Sequence, residues 1–159
     1  MTTISLAKPP SAWSGRANLA LALGLWGSLI ALYWPFTEDD AFILFRYARN
    51  WAAGHHFVYN YPGIPVDGFT SFGWTFLLGI LARLPLTVDL DVSSKVLGSL
   101  LGIATLLIVR KLPDFAEYAA PTRWAALLLT AVAPPMIVGT IDGLETPLYA
   151  LVQMALLWC

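Results

Sequence analysis

Five carboxylates stand where apolar stretches of this chain give way to polar ones. Glu38, Asp39 and Asp40 follow directly on a long uncharged run, and Asp142 and Glu145 lie between two more. A carboxylate at a bilayer edge can act as a general base, taking the proton from an attacking hydroxyl. Several together can hold a divalent cation through oxygen ligands. Arg46 and Arg49 follow the triplet closely, and an arginine grips a phosphate with two parallel hydrogen bonds. Tyr59 and Asn60 come next, in the HHFVYN stretch. An acid, an arginine and an aromatic surface at lipid depth suit a substrate with a phosphate head and a long lipid tail. The candidate catalytic residues are Asp39, Asp40 and Glu145, which are also the ligands if a divalent cation is held. The candidate substrate-binding residues are Arg46, Arg49, Tyr59 and Asn60.

Plainer readings stand beside these. Acids in a first helical turn are favoured by the helix dipole alone. Asp40, three residues after Thr37, also fits a capping box with Thr37 as N-cap. Asp39 is the residue that capping does not require. Surface arginines commonly meet solvent or lipid headgroups. His55 and His56 lack metal-ligand spacing and read as loop histidines. Glu145, just before a helix start, is comfortable there structurally.

The elements that must position these residues are membrane helices. The chain is 58% hydrophobic and only 12% charged, where a soluble domain carries about 25%. A net charge of −1 offers no basic field, so nucleic acid is not an expected partner. The one cysteine, Cys159, excludes an internal disulfide. Residues 1–16 read as a cytoplasmic tail and 17–36 as a first span, retained because no small-x-small cleavage site follows it. Lys8 and Arg16 before this span, with the acids after it, put the N-terminus inside. Residues 37–91 read as an outer-face loop with juxtamembrane amphipathic helices, the first running to about Ala53 with Gly54 as its stop. Asp67-Gly68 reads as a turn. Spans follow at 92–112 and 122–141, with the start of a fourth at 146–159. Lys95 and Arg110 are expected to snorkel to the interfaces. Gly98 and Gly102 form a G-x-x-x-G pair for close helix approach. Pro134 and Pro135 should kink or end their span. Thr146 is expected to cap the last helix, with Pro147 at its first position.

Two topologies compete over residues 69–84. As a fifth span they would put Arg110, Lys111 and Arg123 outside, against the positive-inside rule. Lying in the outer interface they leave four spans, the basic trio inside, and Asp142 and Glu145 on the same side as the acidic triplet. The four-span arrangement is preferred. The uncharged ending after Glu145, without interfacial anchors, reads as the front part of something larger.

Three blocks carry a resemblance. DDAFILFRYARNWAAGHHFVYN (39–60), DGFTSFGW (67–74) and GLET (143–146) resemble the N-terminal part of GT-C glycosyltransferases. The likeness is nearest to polyprenyl-phosphate-sugar-dependent transferases such as the mycobacterial arabinofuranosyltransferases. Protein O-mannosyltransferases and the lipid A aminoarabinose transferase are more distant. The resemblance implies an all-α, polytopic membrane fold with an acidic motif in the first outer loop. It implies Asp39, with Asp40 beside it, as the base that deprotonates the acceptor hydroxyl, and Glu145 facing the same cavity. It implies a polyprenyl-phosphate sugar donor, a glycan, lipid or protein acceptor, and action at the outer face of the plasma (inner) membrane. The chain departs from the family's N-P-G-E pattern by a short insertion after Asn60, which leaves Asp67 in the place of the acid. It also has far fewer spans than family members. A non-catalytic scaffold or lipid-carrier-binding partner, or an inactive remnant, are the alternatives.

Overall fold

Long uncharged stretches of Leu, Ala, Ile and Val favour helix locally, and proline or glycine ends them. The outcome is a computed structural model that describes residues 15–64, 66, 68–85, 89–112 and 119–158. The tail residues 1–14, Asp67 and Cys159 lie outside the described residues. Every regular element among the described residues is a helix. In order these are α1 (Gly15–Tyr33), α2 (Asp39–Ala52), α3 (Phe72–Arg83), α4 (Leu90–Lys111), α5 (Ala120–Val132), α6 (Pro134–Ile141) and α7 (Thr146–Trp158).

Two of them, α1 and α4, are long and apolar enough to cross a membrane. At about 1.5 Å per residue, the 22 residues of α4 span about 33 Å, against a hydrocarbon core of about 30 Å. A third crossing exists if α5 and α6 count as one span, bent by 42° at Ala133. The bend bears out the expectation from Pro134 and Pro135, whose missing N–H groups interrupt the helical ladder. The fourth span is not shown: α7 has 13 described residues, about 20 Å.

The helices bury two cores. One joins α1, α4, α5 and α6 around Ala22, Trp26, Ile30, Leu106, Leu127 and Ile141. Leu21, Leu25 and Leu32 on the other side of α1 are exposed, and a helix apolar all round suits lipid. The second core packs α2 and α3 against the start of α4 through Leu44, Phe45, Ala48, Trp74, Leu78 and Leu90. Gly98 and Gly102 sit where α4 packs closely on α6 and α1. A Cβ on Gly98 would run into the Thr140 carbonyl of α6, and one on Gly102 would lie 2.7 Å from the Trp26 ring of α1. The G-x-x-x-G pair therefore serves packing, as small residues do between membrane helices.

Candidate functional site

The acidic triplet is set in place by a knot of side chains at the end of α1. Pro35 stops that helix, and Lys95 of α4 donates from Nζ to the Trp34 carbonyl at 2.9 Å. Asp91, one turn earlier on α4, pairs with Lys95 at 3.2 Å. The Thr37 hydroxyl donates to Asp91 Oδ1 at 2.8 Å. Two expectations are corrected here. Thr37 is not the N-cap of α2; Glu38 holds that position without a side-chain cap bond, because the Thr37 hydroxyl is turned to α4. Lys95 does not snorkel outward but is 2% exposed, because an open carbonyl and a carboxylate lie within its reach. Breaking a buried ion pair costs about 3–5 kcal/mol, less where one partner meets water. Asp91 is partly exposed, so Lys95→Met should lower stability by about 2–3 kcal/mol, read as a fall in the thermal midpoint of the detergent-solubilised protein.

The rest of α2 follows from its sequence. Asp39 and Asp40 occupy its first turn, where the dipole favours them. At its end the Gly54 N–H donates to the Trp51 carbonyl and the His55 N–H to the Asn50 carbonyl. Gly54 has φ +91°, so the stop at Gly54 is a Schellman motif that only glycine enters freely.

The loop between α6 and α7 brings the second set of acids to the first. The Glu38 N–H donates to the Asp142 carbonyl at 3.0 Å. The Trp74 indole N–H of α3 donates to the Gly143 carbonyl at 2.8 Å. The Leu144 N–H donates to Asp142 Oδ1 at 2.8 Å. Gly143 has φ +87° and no room for a side chain, since a Cβ would lie 2.7 Å from that of Ala41. Glycine is thus required twice over at the head of GLET. The first backbone bonds of α7 end on the Glu145 carbonyl. Glu145, not Thr146, therefore takes the capping position, and the Thr146 side chain instead packs beside Gly139.

Between these elements opens a groove of about 590 Å³, with Asp40, Ile43 and Leu44 on one wall and Leu144 and Glu145 on another. Gly68, Phe69, Thr70 and Ser71 complete it. The Tyr47 hydroxyl braces that last wall by donating to the Val66 carbonyl. The groove thus joins two of the three candidate catalytic acids, Asp40 and Glu145. Asp39 is exposed and outside the groove lining, since successive residues of a helix point about 100° apart.

Burial displaces the titration of Asp142. It is 8% exposed, and its pKa is raised from 3.8 to about 6. Burial is the main cause; the Leu144 N–H opposes it, and the charges of Glu145 and Glu38 add to it. Between pH about 4 and 6 the folded protein keeps a proton that the unfolded chain has released, so stability falls as pH rises through this window. Asp142→Asn keeps an acceptor for Leu144 and removes the charge. The variant should melt higher than the parent above pH 6, by about 1–2 kcal/mol after allowing for water at the loop. Its melting profile should be flatter between pH 4 and 6.

The candidate binding residues separate into two places. Arg46 donates from Nε to the Tyr59 carbonyl at 2.8 Å and from Nη2 to Asn60 Oδ1 at 2.7 Å, with its guanidinium 4.6 Å from the Tyr59 ring centre. Asn50 donates to the carbonyls of Val58 and Tyr59. Arg46, Tyr59 and Asn60 are therefore together, but as a clasp that folds the 55–60 loop onto α2. Arg49 pairs with Asp89, the N-cap of α4, at 2.6 Å with both side chains more than half exposed. Neither arginine lines the groove.

Comparison of the chain with protein-family models, with curated proteins and with solved structures gives no match. The geometry of the site is what speaks for its chemistry. Among the described residues no three His, Cys, Asp or Glu side chains gather as a metal-holding group. Asp39, Asp40 and Glu145, the candidate cation ligands, do not form such a group. Sequence reasoning missed Trp74 and Asp91 as residues that place the acids, and with Asp91 the true partner of Thr37. For Asp91 the signal was present: an Asp and a Lys four apart at the start of an apolar helix mark a charge pair taken inward.

Proposed function

We propose that the chain is the N-terminal part of a membrane glycosyltransferase that moves a sugar from a polyprenyl phosphate to an acceptor hydroxyl at the outer face. The observation that carries this reading is the groove that Asp40 and Glu145 share, at the ends of apolar helices. In the proposed arrangement α1, α4 and the bent α5–α6 pair make three spans in the plasma (inner) membrane and α7 the start of a fourth, with the N-terminus cytoplasmic. The 12 residues of α3 reach about 18 Å, which suits the outer interface better than a crossing.

The acceptor hydroxyl enters the groove and gives its proton to Asp40. Its oxygen attacks the anomeric carbon of the donor. The bond from that carbon to the phosphate oxygen breaks, and the electron pair leaves with the lipid phosphate, so the sugar is transferred with inversion. Asp40 replaces Asp39 as the base because it shares the groove with Glu145. Glu145 orients the acceptor or sugar hydroxyls from the opposite wall. Arg49, paired with Asp89, and Arg46, committed to its loop, both lie outside the groove lining.

The test is transfer in liposomes by the intact membrane protein that carries this chain. The donors are short-chain polyprenyl-phosphate arabinose and mannose, offered with glycan, lipid and peptide acceptors. Release of polyprenyl phosphate matched by glycosylated acceptor is expected. Donor binding without turnover would instead favour a lipid-carrier-binding partner, and absence of binding would reject both.

A further inference from the structure

The geometry points to Trp74 as a positioning residue for Glu145: its indole N–H holds the Gly143 carbonyl and so fixes the wall of the groove that faces Asp40. The inference rests on the proposed reaction for its catalytic meaning, but not for its structural content. Trp74 is 1% exposed, in the core that α2 and α3 share. Its packing alone would be met by any large apolar ring. The N–H is different, because it reaches across 69 residues of chain to a loop carbonyl two residues before Glu145. A buried indole N–H without an acceptor is costly, so the pairing fixes both partners.

The loop has few other ties. Glu38 holds the Asp142 carbonyl from α2, and Leu144 folds back on the Asp142 side chain. The Asp142 contacts anchor the beginning of the loop, whereas Trp74 anchors Gly143 from α3, the helix whose leading residues Phe69, Thr70 and Ser71 form the facing wall. One hydrogen bond therefore ties two walls of the groove together and sets its width. Gly143 has no room to shift toward α2, because Ala41 and Phe45 already lie against it. Loss of the bond would let the loop move away from α3, carrying Glu145 with it.

The test replaces Trp74 by 3-benzothienylalanine, which keeps the ring shape and lacks the N–H, with Trp74→Phe as a second variant. The first readout needs no turnover: amide hydrogen exchange of the peptide covering residues 142–146, in lipid nanodiscs. Exchange there should quicken about tenfold in both variants, with α1 and α4 unchanged. Leu78→Ala, a cavity in the same core, should instead quicken exchange across α2 and α3. The second readout is transfer, where kcat should fall about tenfold with the donor KM within about twofold. Unchanged exchange at 142–146 in both variants overturns the inference, whatever happens to transfer. Quickened exchange with undiminished kcat also overturns it, since the bond would then hold the loop without serving the site. If the intact protein that carries this chain does not transfer at all, the proposed function fails, and the exchange readout alone decides whether Trp74 holds the loop.

Discussion

Asp40→Asn is expected to lower sugar transfer by about 10²–10⁴, the usual contribution of a positioned general base. Asparagine has nearly the same shape and can still accept a hydrogen bond, but it cannot take up the acceptor's proton. Asp40 is exposed at the start of α2, so the substitution removes no packing. The fold should lose only the favourable meeting of one carboxylate with the helix dipole, about 0.3–1 kcal/mol. The companion variant is Asp39→Asn, the residue that the sequence pattern favoured as base. Because Asp39 lies outside the groove lining, it should keep transfer within about tenfold of the parent. The measurement is initial rate in liposomes, beside a thermal midpoint that shows both variants folded. The opposite ranking would return the base to Asp39, and full activity in both would remove the pair from the chemistry.

Gly98→Val should be the most damaging single change to the fold. The atom in the way of a side chain at this position is a backbone oxygen, that of Thr140, with the Pro147 ring 3.5 Å from the same point. A flexible side chain can step aside, but a helix backbone moves only as a whole. To admit valine, α4 and α6 must separate, and with them the α4–α7 packing. Overpacking of a close contact commonly costs about 1–3 kcal/mol, and a backbone collision belongs at or above the top of that range. Gly102→Ala should cost less, since the Trp26 ring it meets at 2.7 Å can tilt. Gly24→Ala is the control: nothing lies within 4 Å of its Cβ position, and the helix gains up to about 1 kcal/mol from alanine. Tryptophan-fluorescence melting and gel filtration in detergent rank the three. A Gly98→Val protein that melts like the parent would mean that α4 and α6 do not touch as described.

How much of this was legible in the sequence depended on range. The stop at Gly54, the bend at Pro134 and the G-x-x-x-G contact are decided within a few residues, and each appears where the pattern placed it. The gathering of Asp142 and Glu145 with the acidic triplet was inferred from charge placement, and Glu38 and Asp142 are indeed joined by a hydrogen bond. Three of the failures are long-range competitions for a partner. Thr37 had a local use as a cap and a distant use with Asp91, 54 residues away; the distant one prevailed. Lys95 had water within reach of a long side chain, yet the Trp34 carbonyl, 61 residues away, holds it inside. Arg46 looked free for a phosphate because nothing in the pattern marks the Tyr59 carbonyl as an acceptor that needs filling. The choice between Asp39 and Asp40 turns on helix rotation, which neighbouring positions in a sequence do not reveal.

The Asp91–Lys95 pair also bears on how such a chain is made. A lone lysine costs about 2.5–3.5 kcal/mol at the insertion machinery when it sits at the centre of a membrane helix, and less near an end, where Lys95 stands. Its acceptor, the Trp34 carbonyl, lies just past the end of α1, synthesised earlier, and meets it only once α1 and α4 have come side by side. Asp91, however, leaves the ribosome four residues ahead of Lys95, and the two face each other as soon as one turn of α4 forms. The helix therefore carries its own counter-ion and reaches the lipid as a locally neutral segment. Docking with α1 then supplies the last hydrogen bond. Insertion and assembly are in this way separated, and the charge that locks the elbow before Glu38 need not hinder the delivery of α4.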